Sequence, residues 1–79
     1  MKAPVLYTRE QCPLCDQARA LLEQVLGVDG YRVVDIDGDL DLIRDYGERI
    51  PVVAEPGTGR ELGWPFSLER LRQWCAGRR

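Results

Sequence analysis

Two short runs of strand-forming residues flanking one amphipathic helical stretch constrain this chain more than any other feature. Ala3 to Thr8 (APVLYT) is apolar and partly β-branched, and Pro4 is tolerated near its beginning because a first strand residue can lack its N–H. From Pro13 onward Leu14, Ala18, Leu21, Leu22, Val25 and Leu26 recur at helical spacing, while Asp16, Gln17, Arg19, Glu23 and Gln24 occupy the other faces. Pro13 suits a first helical turn, where no N–H is needed, and Gly27 suits the end of the helix. Tyr31 to Ile36 (YRVVDI) then reads as a second strand. Strand, helix and strand at this spacing imply a right-handed parallel crossover.

The remaining elements follow from turn chemistry. Asp37-Gly38-Asp39 leads into a weaker helix over Leu40 to Tyr46, with Leu42, Ile43 and Tyr46 as its apolar side and Gly47 as its stop. Ile50 to Ala54 (IPVVA) is a third strand beginning at a proline. The turn Glu55-Pro56-Gly57-Thr58-Gly59 and a fourth strand over Arg60 to Leu62 complete a hairpin. Ser67 can cap a last helix running through Cys75, with Leu68, Leu71, Trp74 and Cys75 on or near one face and Gly77 at its end. The order is βαβαββα, an α/β class with a four-stranded mixed sheet flanked by three helices. With 79 residues there is room for one core, so residues 1–79 are read as a single domain.

Charge and cysteine content narrow the chemistry. Eleven Lys and Arg against 13 Asp and Glu leave a net charge of −2, without the basic field that nucleic acid or anionic lipid would require. No run approaches the roughly 20 apolar residues of a membrane span, and residues 1–11 turn polar too soon for a secretory signal. The chain therefore reads as cytoplasmic, and as a monomer. In a reducing cytosol cysteines point to chemistry more than to structural bridges, and the spacing of the three here matters more than their number. The absence of histidine removes every His-dependent catalytic arrangement and the commonest metal ligand.

Cys12-Pro13-Leu14-Cys15 lies where the first strand meets the first helix. The first sulfur should sit among unpaired helix N–H groups at the positive end of the helix dipole, which stabilises a thiolate. Cys15 stands one helical turn on, within reach of Cys12 and more sheltered. This asymmetry makes Cys12 the attacking thiol and Cys15 the resolving one in thiol–disulfide exchange. Arg9, three residues before Cys12, can add a cation beside the thiolate, which Asp16 partly opposes. A zinc half-site lacks two further ligands, so no metal is assigned. A static bridge across two residues would restrain the unfolded chain little.

With these residues in place the chain resembles a glutaredoxin-like protein of the small bacterial type, over essentially its whole length. Tyr7-Thr8-Arg9-Glu10-Gln11-Cys12-Pro13-Leu14-Cys15 is similar to the family's strand–loop–helix opening, with Arg9 at its basic position. The resemblance implies a thioredoxin-like fold and dithiol–disulfide oxidoreductase activity, with Pro13 and Leu14 between the two thiols contacting substrate. Ile50-Pro51 resembles the family's cis-proline element, which offers backbone to a substrate peptide; residue chemistry alone favours a trans strand-start proline. Before the last helix the family commonly carries two glycines and acidic residues that hold glutathione. Here Leu62-Gly63-Trp64-Pro65-Phe66-Ser67 leaves Gly63 and the capping Ser67 as the matches. Trp64, Pro65 and Phe66 add bulk there, suited either to core packing or to a protein partner. The resemblance implies no tightly bound cofactor, glutathione as a co-substrate or a thioredoxin-reductase-type enzyme as reductant, and a protein disulfide or glutathione mixed disulfide as substrate. Two other readings stay open. One is a non-catalytic binding module presenting Trp64 and Phe66, and the other is a glutathione-dependent iron–sulfur cluster carrier.

Three further features are assigned structural roles. Asp35 to Asp41 alternates carboxylates as calcium loops do, but the register puts Leu40 where glycine is needed and Tyr46 where glutamate is needed. A strand end and an acidic helix start account for it. Cys75 reads as a small apolar helix residue, and Arg78-Arg79 as a cationic complement to the last helix's C-terminus.

Overall fold

Alternation along the first run puts Leu6 and Thr8 on one face of a strand and Val5 and Tyr7 on the other. In the computed structural model, which describes residues 3–77, that strand is β1 (Val5–Thr8). Arg78 and Arg79 lie outside the described residues. β1 pairs in parallel with β2 (Arg32–Asp35) and antiparallel with β3 (Val52–Ala54), which pairs antiparallel with β4 (Glu61–Gly63), so the sheet order is β2-β1-β3-β4. The register sets Val33, Leu6, Val53 and Leu62 side by side across one face.

Helices α1 (Pro13–Leu26) and α3 (Leu68–Ala76) cover that face and touch each other. Ala18 and Leu22 from α1 meet Leu71 and Trp74 from α3, and Leu6, Val53, Leu62, Tyr31 and Phe66 close the core around them. Leu6, Leu22 and Leu71 are fully buried. Each such side chain contributes roughly 1.5–3 kcal/mol through removal of apolar surface from water. Leu68, expected on the same face, is half-buried.

Helix α2 (Leu40–Tyr46) lies across the other face, where Tyr46 stacks on Tyr7 with ring centroids 4.3 Å apart. The helix buries none of its residues fully; Leu42, Ile43 and Tyr46 are half-buried. A polar clamp supplements this thin packing. The Tyr46 hydroxyl donates to Glu61 at 2.7 Å, Arg49 pairs with the same carboxylate, and the Arg49 guanidinium lies 5.0 Å from the Tyr46 ring centroid.

The expected order of elements is present, with shifted strand ends. Ile36 leaves the sheet for a one-turn 3-10 helix (Ile36–Gly38) because the Asp35 side chain accepts from the Asp37 N–H at 2.8 Å, a local bond that competes with the ladder. Ala3 and Pro4 precede β1, Ile50 and Pro51 precede β3, and β4 begins at Glu61 rather than Arg60. In each case the ladder partner, not the apolar run, sets the limit. Asp39 caps α2 by accepting from the Asp41 and Leu42 N–H groups, so the acidic stretch serves helix starts.

Two predictions follow from these contacts. Leu22→Ala should cost about 2–5 kcal/mol in denaturant unfolding, because the site is enclosed by both helices and the sheet. Burial, aided by the bond to Glu61, pushes the Tyr46 hydroxyl up to about 12 from its usual 10.0. The neutral phenol is thus favoured in the folded state, and its contribution is complete below the unfolded value and lost as pH rises from 10.0 to about 12. Unfolding curves across that alkaline range should therefore fall less steeply for Tyr46→Phe than for the parent, with a slope retained because Tyr31 is also raised by its burial. Equal slopes would rule out this role for Tyr46.

Candidate redox site

β1 ends at Thr8, a buried polar residue, and the chain turns through Arg9, Glu10 and Gln11 to reach α1. Cys12 is the N-cap of that helix. Its backbone is extended, at φ −118° and ψ 96°, and its sulfur accepts from the Cys15 N–H at 3.1 Å. The sulfur thus does what a serine or aspartate oxygen does at most helix starts. Pro13 occupies the first turn, as its missing N–H allows. Gln11 holds φ at +55°, a left-handed conformation uncommon outside glycine, and this reversal delivers Cys12 to the cap.

Cys12 and Cys15 form a disulfide with their Cα atoms 5.2 Å apart. The two sulfur-bearing residues differ in access: Cys12 is half-buried, whereas Cys15 is 2% exposed. Pro13 and Leu14 between them are exposed, Leu14 at 45%, an apolar side chain in water beside the sulfur pair.

An open hollow of about 250 Å³ lies on the β2 side of this pair. Residues 9–12 form one wall, Asp16 and Arg19 of α1 another, and Val33 and Asp35 of β2 the third. Arg9 is present as expected, but its guanidinium is engaged. Its Nε and Nη2 donate to Asp37 at 3.0 and 2.9 Å.

The other residues singled out from the sequence lie on the opposite, β3–β4 side. Tyr7 faces Val52, so Pro51 stands next to the end of β1 that leads to Cys12. Trp64 follows Gly63, the partner of Val52, and its N–H donates to the Pro51 carbonyl at 3.1 Å. Both Ile50–Pro51 and Trp64–Pro65 are cis, which replaces the trans form that strand chemistry alone favours for Pro51. Ser67 caps α3, accepting from the Arg70 N–H at 3.0 Å. Ile50, Pro51, Gly63, Trp64 and Ser67 therefore gather at the sheet end from which α1 and α3 both start. None of them lines the hollow. Of the two readings of the aromatic segment, core packing holds for Phe66, which is 7% exposed, and Trp64 packs edge-on against it at 5.0 Å, half-buried. Phe66 has almost no surface to present to a partner, whereas Trp64 keeps part of its own.

Arg19, Val33, Asp35 and Gln11 were not legible as site residues. Arg19 comes from α1 and Val33 and Asp35 from β2, two elements that only the packing of the crossover brings beside the sulfur pair, and nothing in a glutamine's chemistry announces a positive φ.

Comparison with known proteins agrees with this geometry. The family model of the Glutaredoxin-like domain (DUF836) matches residues 5–76. The chain is similar to XcR50 from X. campestris, whose X-ray structure superposes with a TM-score of 0.86 at 44% identity, covering 98% of this chain and 100% of that one. The solution structure of XcR50 gives a TM-score of 0.85 at 44% identity, covering 99% and 97%. The solution structure of Ne2328 from Nitrosomonas europaea is more distant, with a TM-score of 0.69 at 28% identity over 91% and 88% of the two chains. No curated protein matches the sequence. A cysteine pair at the head of the crossover helix, a cis proline beside it and a family match along nearly the whole chain together establish that this protein belongs to the glutaredoxin-like family of the thioredoxin superfamily.

Proposed function

We propose that the protein is a dithiol–disulfide oxidoreductase in which Cys12 attacks and Cys15 resolves. The observation that carries this reading is the asymmetry of the pair: a half-buried sulfur capping a helix, bridged to a sulfur that is 2% exposed. In the reduced protein the capping N–H groups and helix dipole favour the Cys12 thiolate. That thiolate attacks one sulfur of a substrate disulfide; the S–S bond breaks, and the departing thiolate takes a proton from water. Cys15 then gives up its proton to water, and its thiolate attacks the Cys12 sulfur of the mixed disulfide, breaking the bond to the substrate. The second substrate thiol leaves, and the Cys12–Cys15 bridge holds the oxidised product. Two electrons have passed to the substrate, and an external thiol restores them.

Arg9, Pro13 and Leu14 on the loop and first turn, and Ile50, Pro51, Gly63, Trp64 and Ser67 across the sheet end, are the residues proposed to contact substrate. The substrate is a protein disulfide or a glutathione mixed disulfide, and the reductant is glutathione or a thioredoxin-reductase-type enzyme. We take the protein to work as a cytoplasmic monomer. Against the binding-module reading stands the burial of Phe66.

Two measurements test this reading. Incubated with a disulfide substrate, Cys15→Ser should accumulate an adduct on Cys12 visible by intact mass, whereas Cys12→Ser should not. The reverse pattern overturns the assignment of roles. In coupled turnover, either glutathione with glutathione reductase or thioredoxin reductase should sustain reduction by the parent at a rate that Cys12→Ser lowers by at least about a hundredfold. Turnover with neither reductant would remove the oxidoreductase reading.

A further inference from the structure

The hollow beside the disulfide has two guanidiniums in its walls, and that of Arg9, the one on the Cys12 loop, is already paired. Arg9 donates twice to Asp37, and Asp35 adds to the same field. Arg19 forms no salt bridge among the described residues and keeps its charge in the hollow. Against them stand three wall carboxylates, Glu10, Asp16 and Asp35, none of which forms a salt bridge among the described residues. A space of about 250 Å³ is comparable in width to the Debye length, about 8 Å at physiological ionic strength. A substrate group inside it therefore feels all of these charges together.

The β2 wall also carries an apolar group. Val33 faces the hollow from the edge strand β2 and is 43% exposed, although its cross-strand neighbour Leu6 is fully buried. An alkyl stem can lie along Val33 while a charged head reaches the carboxylates beyond, which is how lysine and arginine cover apolar surface and keep their charge hydrated.

We propose that this hollow is a subsite for a lysine or arginine side chain adjacent to the substrate's cysteine, so that the preferred substrates are basic protein disulfides. The subsite rests on the oxidoreductase reading and names its substrate class. Glutathione disulfide, which carries more carboxylates than ammonium groups, is disfavoured by the same walls. Its carboxylates would meet Glu10, Asp16 and Asp35, three negative charges against the single positive one of Arg19, while the guanidinium on the Cys12 loop is held by Asp37.

The test uses the full chain in its dithiol form and two disulfide peptides that differ only in having arginine or glutamate next to the cysteine. At an ionic strength of about 10 mM, where the Debye length is about 30 Å, the arginine peptide should be reduced about fivefold faster or more. At about 1 M salt, with a Debye length near 3 Å, the ratio should fall to within about twofold. Asp16→Asn with Asp35→Asn should lower the ratio at low salt in the same way; asparagine at residue 35 keeps an oxygen to accept from the Asp37 N–H. A melting curve matching the parent's would show that this variant is folded. Equal rates for the two peptides at low salt, or a faster glutamate peptide, overturn the subsite and leave the oxidoreductase reading standing. Reduction of neither peptide faster than by free dithiothreitol overturns both.

Discussion

β1 is bonded along both edges, in parallel to β2 and antiparallel to β3, and the site is built where it ends. A strand paired on both sides cannot slip by one residue without turning Leu6 out of the core and breaking two ladders together. Its C-terminal end is therefore a fixed point. The turn after it has only Arg9, Glu10 and Gln11 in which to reverse direction, and the left-handed Gln11 makes that possible. Cys12 can cap α1 only because α1 is itself anchored on the same strand through Ala18 and Leu22. Position of the sulfur is thus a consequence of core packing more than of the loop.

That position also gives the sulfur two unlike flanks. On the β3 side the two cis prolines shape the sheet end, and the bond from Trp64 N–H to Pro51 carbonyl ties β4 to it. This flank is mostly backbone and apolar surface. On the β2 side the walls are charged, because an edge strand with one face only partly covered must carry polar residues at its end. Asp35 serves two ends at once there, holding the 3-10 turn through the Asp37 N–H and facing the hollow. Asp37, one position past that turn's start, is the group that takes Arg9.

The two faces of the sheet are stabilised differently. The face under α1 and α3 relies on enclosed aliphatic and aromatic side chains. The face under α2 buries Val5 and Val52 and adds a stacked tyrosine pair and a carboxylate shared by Tyr46 and Arg49, because a seven-residue helix brings little apolar area of its own. The redox pair therefore sits on the firmer layer, at the head of a helix that contributes Cys15, Ala18 and Leu22 to the buried interior.

What the amino-acid sequence determined by itself was whatever depends on near neighbours along the chain. Periodicity marked the helices from Pro13 to Leu26 and from Leu40 to Tyr46 to the residue. The order of all seven elements followed, as did the siting of Cys12 and Cys15 at a strand-to-helix junction. These are legible because capping, turn chemistry and one-sided hydrophobicity act within a few residues. Strand limits were less so, since Ile36 and Ile50 look like strand residues and only their missing ladder partners exclude them. The tertiary structure alone decided that Phe66 is core and that Arg9 is spent on Asp37, 28 positions away. It alone also joined Arg19, Val33 and Asp35 to the sulfur pair as walls of one hollow. Each of those depends on which strand lies beside β1, and that choice is made by burial across the whole sheet, a quantity no local run of letters contains.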